Sequence, residues 1–423
     1  MSAVPFSLLP DTATVGERGQ LVIGGCDTLE LAREFGTPLF VYDEAHLRAR
    51  CREAVAAFGP GVNYATKAFL CTAMARLAAE EGCNLDVSTG GELHVALAAG
   101  VPAERLVLHG NNKGDDELRR ALSEGVGRVV IDSFDEIDRI EALVAEGLPA
   151  PRALIRVTPG VEAHTHEFIR TGQDDSKFGF GLASGMAEAA VQRALASPAV
   201  DLVGLHAHIG SQVFEAQFFE LAVEVLAPFV ERHGLPELSL GGGLGVAYVE
   251  GEVAPTITEW GAAVHAAVEA AGITATVTAE PGRALVARAA VTLYTVGTVK
   301  DLPGIRTYVA VDGGMSDNPR PVLYGSGYEA FLPRAVAAER PRIVTVVGKH
   351  CESGDVLVRD ARVPAELAVG DVLATPVTGA YGHSMGSGYN KVTRPAVVFV
   401  ADGDARLVVR RETLDDLLAL DVG

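Results

Sequence analysis

From Val62 to Glu280, short apolar runs rich in β-branched residues alternate with alanine- and leucine-rich stretches whose apolar positions recur every three or four residues. The short runs suit strands, and the longer spacing suits helices that lay one face on a sheet. Strands are expected at 62–66, 84–87, 106–109, 128–132, 153–157, 202–208, 237–241 and 275–280. Eight such units over about 220 residues fit a closed, TIM-like (β/α)8 barrel better than an open parallel sheet. Lys67, Asp86, His109, Asp132, Arg156, His206, His208, Gly241 to Gly243 and Glu280 fall at or just past the carboxyl ends of these strands. In a barrel that rim is where chemistry is built.

Beyond about Ala287 the long helical stretches stop and strand-like runs follow one another: VTLYTVGTV, RTYVAVDGG, RIVTVVGKH, GDVLATPV and AVVFVADGDARLVVRR. The last reads as a hairpin turning at Asp402, Gly403 and Asp404. PLFVYD, ending at Asp43, is expected to add a strand to the same sheet. The pattern predicts an α/β chain with a barrel at 44–285 and a mostly antiparallel β domain made from 1–43 and 286–423.

Composition narrows the partners. A formal charge of −20 over 423 residues removes the cationic footprint that nucleic acid or an anionic membrane requires. An anionic substrate must then be held by local arginines. The opening MSAVPFSLLPDTATVGERG has no basic region ahead of an apolar run, and no apolar stretch approaches the roughly 18 residues of a membrane span, so a cytoplasmic location is expected. Cys26, Cys51, Cys71, Cys83 and Cys351 stand singly, which suggests neither a disulfide framework nor a zinc ribbon.

Several residues can carry chemistry. Lys67, in VNYATKAFL, is either a surface ammonium or a working amine; Ala68, Phe69 and Leu70 beside it suggest the partial desolvation that frees an amine for a Schiff base. GGGLG, Gly241 to Gly245, fails as a dinucleotide fingerprint because Val246 stands where a glycine is needed, but consecutive backbone N–H groups can hold a phosphate. EPGR, Glu280 to Arg283, ends a strand on an acid and turns into an arginine. His206 and His208 sit two apart on a strand and share a face, but no third ligand with matching spacing is evident, so no metal is expected. His164 to His166 read as a polar loop. In KHCESGD, His350 and Cys351 point to opposite faces and form no assumed dyad, whereas Cys351 ahead of an acidic turn is a candidate proton donor or nucleophile. Arg283 and Arg320 are candidate anion clamps.

Taken in order, YATKAF, HGNNK, RVTPGVEAHTHEFIRTG, DSKFGF, GLHAHIGSQ, GGGLG, EPGR, VAVDGGMSDNPRPVLYG, VVGKHCESGDVL and GAYG resemble the fold-type III pyridoxal phosphate-dependent decarboxylases, with their alanine racemase-like barrel and β domain. The diaminopimelate decarboxylases are the most similar branch. The resemblance runs from about residue 62 to 394. It implies that Lys67 carries the cofactor, that His208 stacks on its ring, and that Glu280 faces the ring nitrogen. Asp86, Ser211, Gly243, Pro281, Gly282, Arg283 and Tyr381 would complete the cofactor site. Arg283, Arg320, Tyr324, Glu352 and Tyr381 would bind substrate, and Cys351 would return the proton. It also implies a homodimer whose active sites are shared, with Cys351 and Glu352 reaching the partner's site and Lys177 pairing with Asp355 across the interface.

The chemistry agrees. Loss of CO2 from an amino acid leaves a carbanion that needs an electron sink, and a carboxylate at Glu280 favours a protonated ring nitrogen. A substrate with two carboxylates and two ammonium groups asks for both an acid and arginines, which suits meso-diaminopimelate better than ornithine or lysine. A relative acting on ornithine, lysine, arginine or carboxynorspermidine, a racemase on a similar scaffold, and a non-catalytic relative are the rival readings. The departures lie in GAYGHSMGSGYN, at His383, Gly386 and Gly388, and bear on the shape of that loop.

Overall fold

A computed structural model describes residues 6–161 and 176–423, so His164 to His166 lie outside the described residues. The chain divides into two compact units, one of Arg50–Val246 with Ala254–Ala284, the other of Met1–Ala49, Ala247–Val253 and Leu285–Gly423.

In the first unit all eight expected strands form, in chain order, as Asn63–Ala65, Asn84–Val87, Leu106–Leu108, Arg128–Ile131, Arg152–Thr158, Asp201–Ala207, Glu237–Ser239 and Thr276–Thr278. Each pairs in parallel with the next. The Asn63 amide donates to the Ala279 carbonyl at 2.9 Å and the Ala65 amide to that of Pro281 at 3.1 Å, which joins the last strand to the first and closes the barrel. Several strands end earlier than their apolar runs suggest. Thr66 begins a 3-10 turn, and His109, Asp132 and His208 lie just beyond the last ladder residue. The chain leaves the ladder there, and so delivers its polar side chains to the rim.

The intervening helices start at recognisable caps. Thr89, Ser133 and Thr256 accept from the amides of Glu92, Glu136 and Glu259, which satisfies donors that a helix start leaves unpaired. Apolar faces then lock the layer: Trp260 is fully buried, with the rings of Phe58 and Phe219 centred 4.6 and 5.1 Å away.

The second unit is built on one large sheet. Its order is Val356–Val363, Arg342–Val347, Arg306–Val311, Ala290–Leu302, Leu39–Asp43, Ala396–Ala401 and Asp404–Val409, with Val372–Pro376 also paired to Ala290–Leu302. PLFVYD supplies the strand Leu39–Asp43, buried along its whole length. It runs antiparallel to Ala290–Leu302 and parallel to Ala396–Ala401. Arg306–Val311 with Arg342–Val347 is the other parallel pair, and the remaining pairs are antiparallel. The hairpin turns at Asp402 and Gly403, both at positive φ (53° and 86°), as a two-residue turn matched to strand twist requires. Two features escaped the sequence reading. Val356–Val363 is interrupted by Arg359 and Asp360, and a small sheet of Thr14–Val15, Leu21–Ile23 and Cys26–Asp27 has strands too short for a periodic signal.

Cys26, Cys51, Cys71 and Cys83 are buried and Cys351 is exposed. Among the described residues no helix is long and apolar enough to cross a membrane.

Candidate active site

Lys67 sits in the 3-10 turn Thr66–Ala68 at the carboxyl end of the first barrel strand. Thr66, Ala68 and Phe69 are buried around it, but the lysine itself is exposed, so the desolvation expected from its apolar neighbours applies to the turn and not to the side chain. The turn is fixed from below: Thr66 donates to the Asp86 carbonyl at 2.7 Å, and the Tyr64 hydroxyl donates to the Phe69 carbonyl.

The rim around it concentrates buried charge. Glu280 is 5% exposed; its Oε1 accepts from the Ser239 hydroxyl at 2.7 Å and its Oε2 meets His206 Nε2 at 3.0 Å. Burial alone would raise the pKa of this carboxyl, but His206 and His109 hold it well below the usual range. Burial drives His206 down to about 4, so its Nε2 carries the proton donated to Glu280. His109 Nε2 lies 3.4 Å from Glu280 and 3.6 Å from Asp86. Burial pulls His109 down, but the two carboxylates outweigh it and raise its pKa. Asp86 is pushed up to about 6, chiefly by burial. The side chain that joins His206 is therefore His109, from a different strand, and the pair of histidines two apart is not the cluster. His109, His206 and Glu280 place ligand atoms within 4.8 Å of one another, a set that could hold a cation, although both Glu280 oxygens are already engaged.

His208 stands one residue past the end of the strand that carries His206. Its Nδ1 accepts from the Gly242 amide at 3.2 Å, and burial first, then Lys67, lowers its pKa well below the ordinary value. The ring is a neutral plane at the rim. Of the three consecutive glycine amides, those of Gly241 and Gly242 are spent on Ser239 and His208, while that of Gly243 finds no acceptor among the described residues. A Cβ at Gly242 would collide with the Glu280 carbonyl, and one at Gly243 (φ 113°) with the Gly210 carbonyl. Only glycine lets this strap lie so close. Arg283, 8% exposed, donates to Ser211 at 3.0 Å, which brings the two candidate anion-binding side chains together.

These features fit pyridoxal phosphate. The barrel rim offers an amine at Lys67, a buried anionic acid, a flat neutral ring and a glycine strap beside Ser211 and Arg283. The Gly243 amide, without an acceptor among the described residues, is the donor such a strap leaves for a phosphate.

Sequence reading missed the support beneath. Lys113 of HGNNK is 2% exposed, and its ammonium donates to the carbonyls of Gly110 (2.8 Å) and Val130 (2.6 Å) and to Glu136 (2.6 Å). Glu136 in turn accepts from the Asp132 amide at 3.2 Å. Asp132 accepts from the Gly179 amide and lies 4.0 Å from Arg156, whose guanidinium stacks 4.3 Å over Phe178. A lysine five residues past a strand gave no local sign of burial.

In the β unit, Cys351, Glu352, Ser353 and Gly354 form an exposed turn. Asp355 is 3% exposed and accepts from the amides of Met315 (2.7 Å) and His350 (2.9 Å), which ties that turn down. His350 bonds Ser316 and Asn390, and Cys351 uses only its amide toward Asn390, so the two form no dyad. Lys177, in the barrel unit, has its ammonium 4.9 Å over the Phe178 ring. Arg320 opens the short helix Arg320–Tyr324; it is 4% exposed and bonds Tyr328 (3.3 Å) and Ser326 (3.1 Å). Tyr381 lies near enough to help raise the Arg320 pKa, and its own φ is 61°. A cavity of about 390 Å3 opens beside Ser326, Tyr328, Gly354 and Asp360. In the loop that departs from the family pattern, His383 packs edge-on against Phe40 with centroids 6.0 Å apart, and a Cβ at Gly388 would meet open space.

Comparison with known proteins follows this geometry. Residues 44–287 match the family described as pyridoxal-dependent decarboxylase, pyridoxal binding domain. The diaminopimelate decarboxylase of Mycobacterium tuberculosis is 50% identical over 98% of this chain and 97% of its own, and that of Bacillus subtilis 46% identical over 98% of each. The crystal structure of the M. jannaschii diaminopimelate decarboxylase with L-lysine superposes with a TM-score of 0.90 at 33% identity, covering 98% of both chains. With the family match over its barrel and these likenesses over nearly its full length, the chain belongs to the diaminopimelate decarboxylases of the pyridoxal-dependent decarboxylase family.

Proposed function

We propose that the protein decarboxylates meso-2,6-diaminopimelate to L-lysine and CO2 with pyridoxal 5'-phosphate, the last step of lysine biosynthesis by the diaminopimelate route. The observation that carries this reading is likeness over the whole chain, at 46–50% identity, to enzymes named for that reaction.

When bound, the cofactor supplies the electron sink for the charge left as CO2 departs. The chain does the rest. Lys67 offers the amine that holds the cofactor, and Glu280, kept anionic by His206 and His109, holds a proton on the ring nitrogen. His208 packs its neutral ring against the cofactor's face. Ser211, Gly243 and the turn from Glu280 through Pro281 and Gly282 to Arg283 hold the phosphate and the ring, Glu280 on the ring nitrogen, with Asp86 and Tyr381 completing the site. Arg283, Arg320, Tyr324 and Tyr381 bind the substrate, and Glu352 pairs with its distal ammonium. The Cys351 thiol delivers the proton to the carbon that lost CO2.

In this reading residues 44–285 bind the cofactor, while 1–43 and 286–423 contribute substrate-binding and proton-donor residues. The enzyme is a cytoplasmic homodimer with shared active sites, and the exposure of Cys351 and Glu352 on one turn supports their use by a second copy. Lys177 and Asp355 lie at that interface. The burial of Asp355 favours a part in holding its own turn over a direct ion pair with Lys177.

The test is an assay of purified protein with pyridoxal phosphate for CO2 and L-lysine. Turnover of meso-diaminopimelate well above that of ornithine, lysine, arginine or carboxynorspermidine is expected. Preference for one of those, or α-proton exchange without CO2, would overturn the reading.

A further inference from the structure

Arg320 is buried without an acid. Among the described residues no carboxylate lies within ion-pair distance, and its Nε makes no hydrogen bond. Neutral oxygens of Tyr328 and Ser326 hold its Nη atoms, and its guanidinium carbon lies 4.4 Å from the centre of the Tyr248 ring. A buried guanidinium is costly unless something offsets its lost hydration. The electron-rich ring face does so while leaving the charge available to an anionic ligand, which a carboxylate partner would not. Burial lowers the Arg320 pKa, but Tyr248, Tyr328 and Tyr381 together raise it above the ordinary value.

Tyr248 is itself held. It is 4% exposed and meets Tyr328 edge-on at 5.2 Å, and its amide donates to Glu252 at 2.7 Å. Next along the chain, the Glu250 amide donates to Glu329, and Arg340, 3% exposed, lies 3.6 Å from Glu250 and 3.7 Å from Glu329. These contacts fasten Ala247–Val253 to the β unit although the chain on either side belongs to the barrel unit.

We propose that Tyr248 is a positioning residue for recognition of the substrate's distal carboxylate: its ring sets the plane of the Arg320 guanidinium and replaces the acid partner that a buried arginine otherwise needs. This rests on the reading of Arg320 as a carboxylate clamp. Tyr248 does not itself touch the reacting atoms.

The experiment uses the holoenzyme and two probes. L-lysine keeps the carboxylate distal to the reacting centre, and 1,5-diaminopentane lacks it. Tyr248→Leu is expected to raise the Kd for L-lysine and the KM for meso-diaminopimelate roughly tenfold or more, with kcat nearly unchanged and inhibition by 1,5-diaminopentane unaffected. Tyr248→Phe, which keeps the ring, should behave as the native enzyme. If Tyr248→Leu does not fold, Tyr248→Met, closer in reach to the ring, is measured in its place. An unchanged Kd for L-lysine in the Tyr248 variants while Arg320→Gln raises it would overturn the proposal and leave the clamp intact. An unchanged Kd in Arg320→Gln would overturn the clamp itself. Equal weakening of both probes with a lowered melting temperature would reduce Tyr248 to a packing residue and also overturn the proposal.

Discussion

His206 and Glu280 are joined by a 3.0 Å hydrogen bond between two side chains that are 1% and 5% exposed. Burial lowers the histidine's pKa to about 4, and His206 together with His109, 3.4 Å away, holds the carboxyl well below the usual carboxylate range. In the proposed function this carboxylate is the group that faces the ring nitrogen of the cofactor.

Glu280→Gln removes that charge while nearly preserving shape. kcat should fall by about 10²- to 10³-fold, the usual effect of losing one preorganised electrostatic partner. Because the native pKa lies well below the carboxylate range, the deficit should be the same from pH 6 to 9 in steady-state kinetics.

Asp86 carries a stability cost that pH can expose. Folding raises its pKa from 3.8 to about 6, chiefly through burial. Between those values the folded chain keeps a proton the unfolded chain has released, so stability is lost as pH rises through 6. Above that the cost levels off at about 3 kcal/mol, the effect of His109 included. The apo form of Asp86→Asn should melt at a higher temperature than the native protein at pH 7.5, with the gain shrinking toward pH 5.

Lys113 and Glu136 form a buried pair in which each partly offsets the burial penalty of the other. Lys113→Met alone, or Glu136→Leu alone, should destabilise by about 3–5 kcal/mol, and the double variant should recover much of the loss. Urea unfolding in a double-mutant cycle measures this coupling.

Lys67→Ala should abolish both activity and the visible absorbance of a lysine-linked cofactor after reconstitution. Cys351→Ala should keep that absorbance and lose turnover. Mixing the two inactive proteins under subunit exchange should restore part of the activity, since with shared sites a hybrid dimer would contain one site with both residues. No recovery would count against a shared site.

Glu352→Ala should raise KM for meso-diaminopimelate or lower its turnover by at least tenfold, as loss of a charge-assisted pair implies. Kinetics indistinguishable from the native enzyme would remove Glu352 from the substrate site.

Local pattern made the eight barrel strands, the strand of PLFVYD and the hairpin at Asp402 and Gly403 legible, because alternation, helical spacing and turn chemistry act over a few residues. It also placed Lys67, Asp86, His109, His206, His208 and Glu280 at strand ends. Which of them touch was decided only by closing the barrel. His206 and Glu280 are 74 residues apart, and Ser211 and Arg283 are 72 apart, so no spacing rule links them. The same holds for the burial of Lys113 and for Tyr248 beneath Arg320. A charged side chain looks alike in sequence whether it meets water or a partner, and its ionisation follows from burial and neighbours that exist only once distant segments pack.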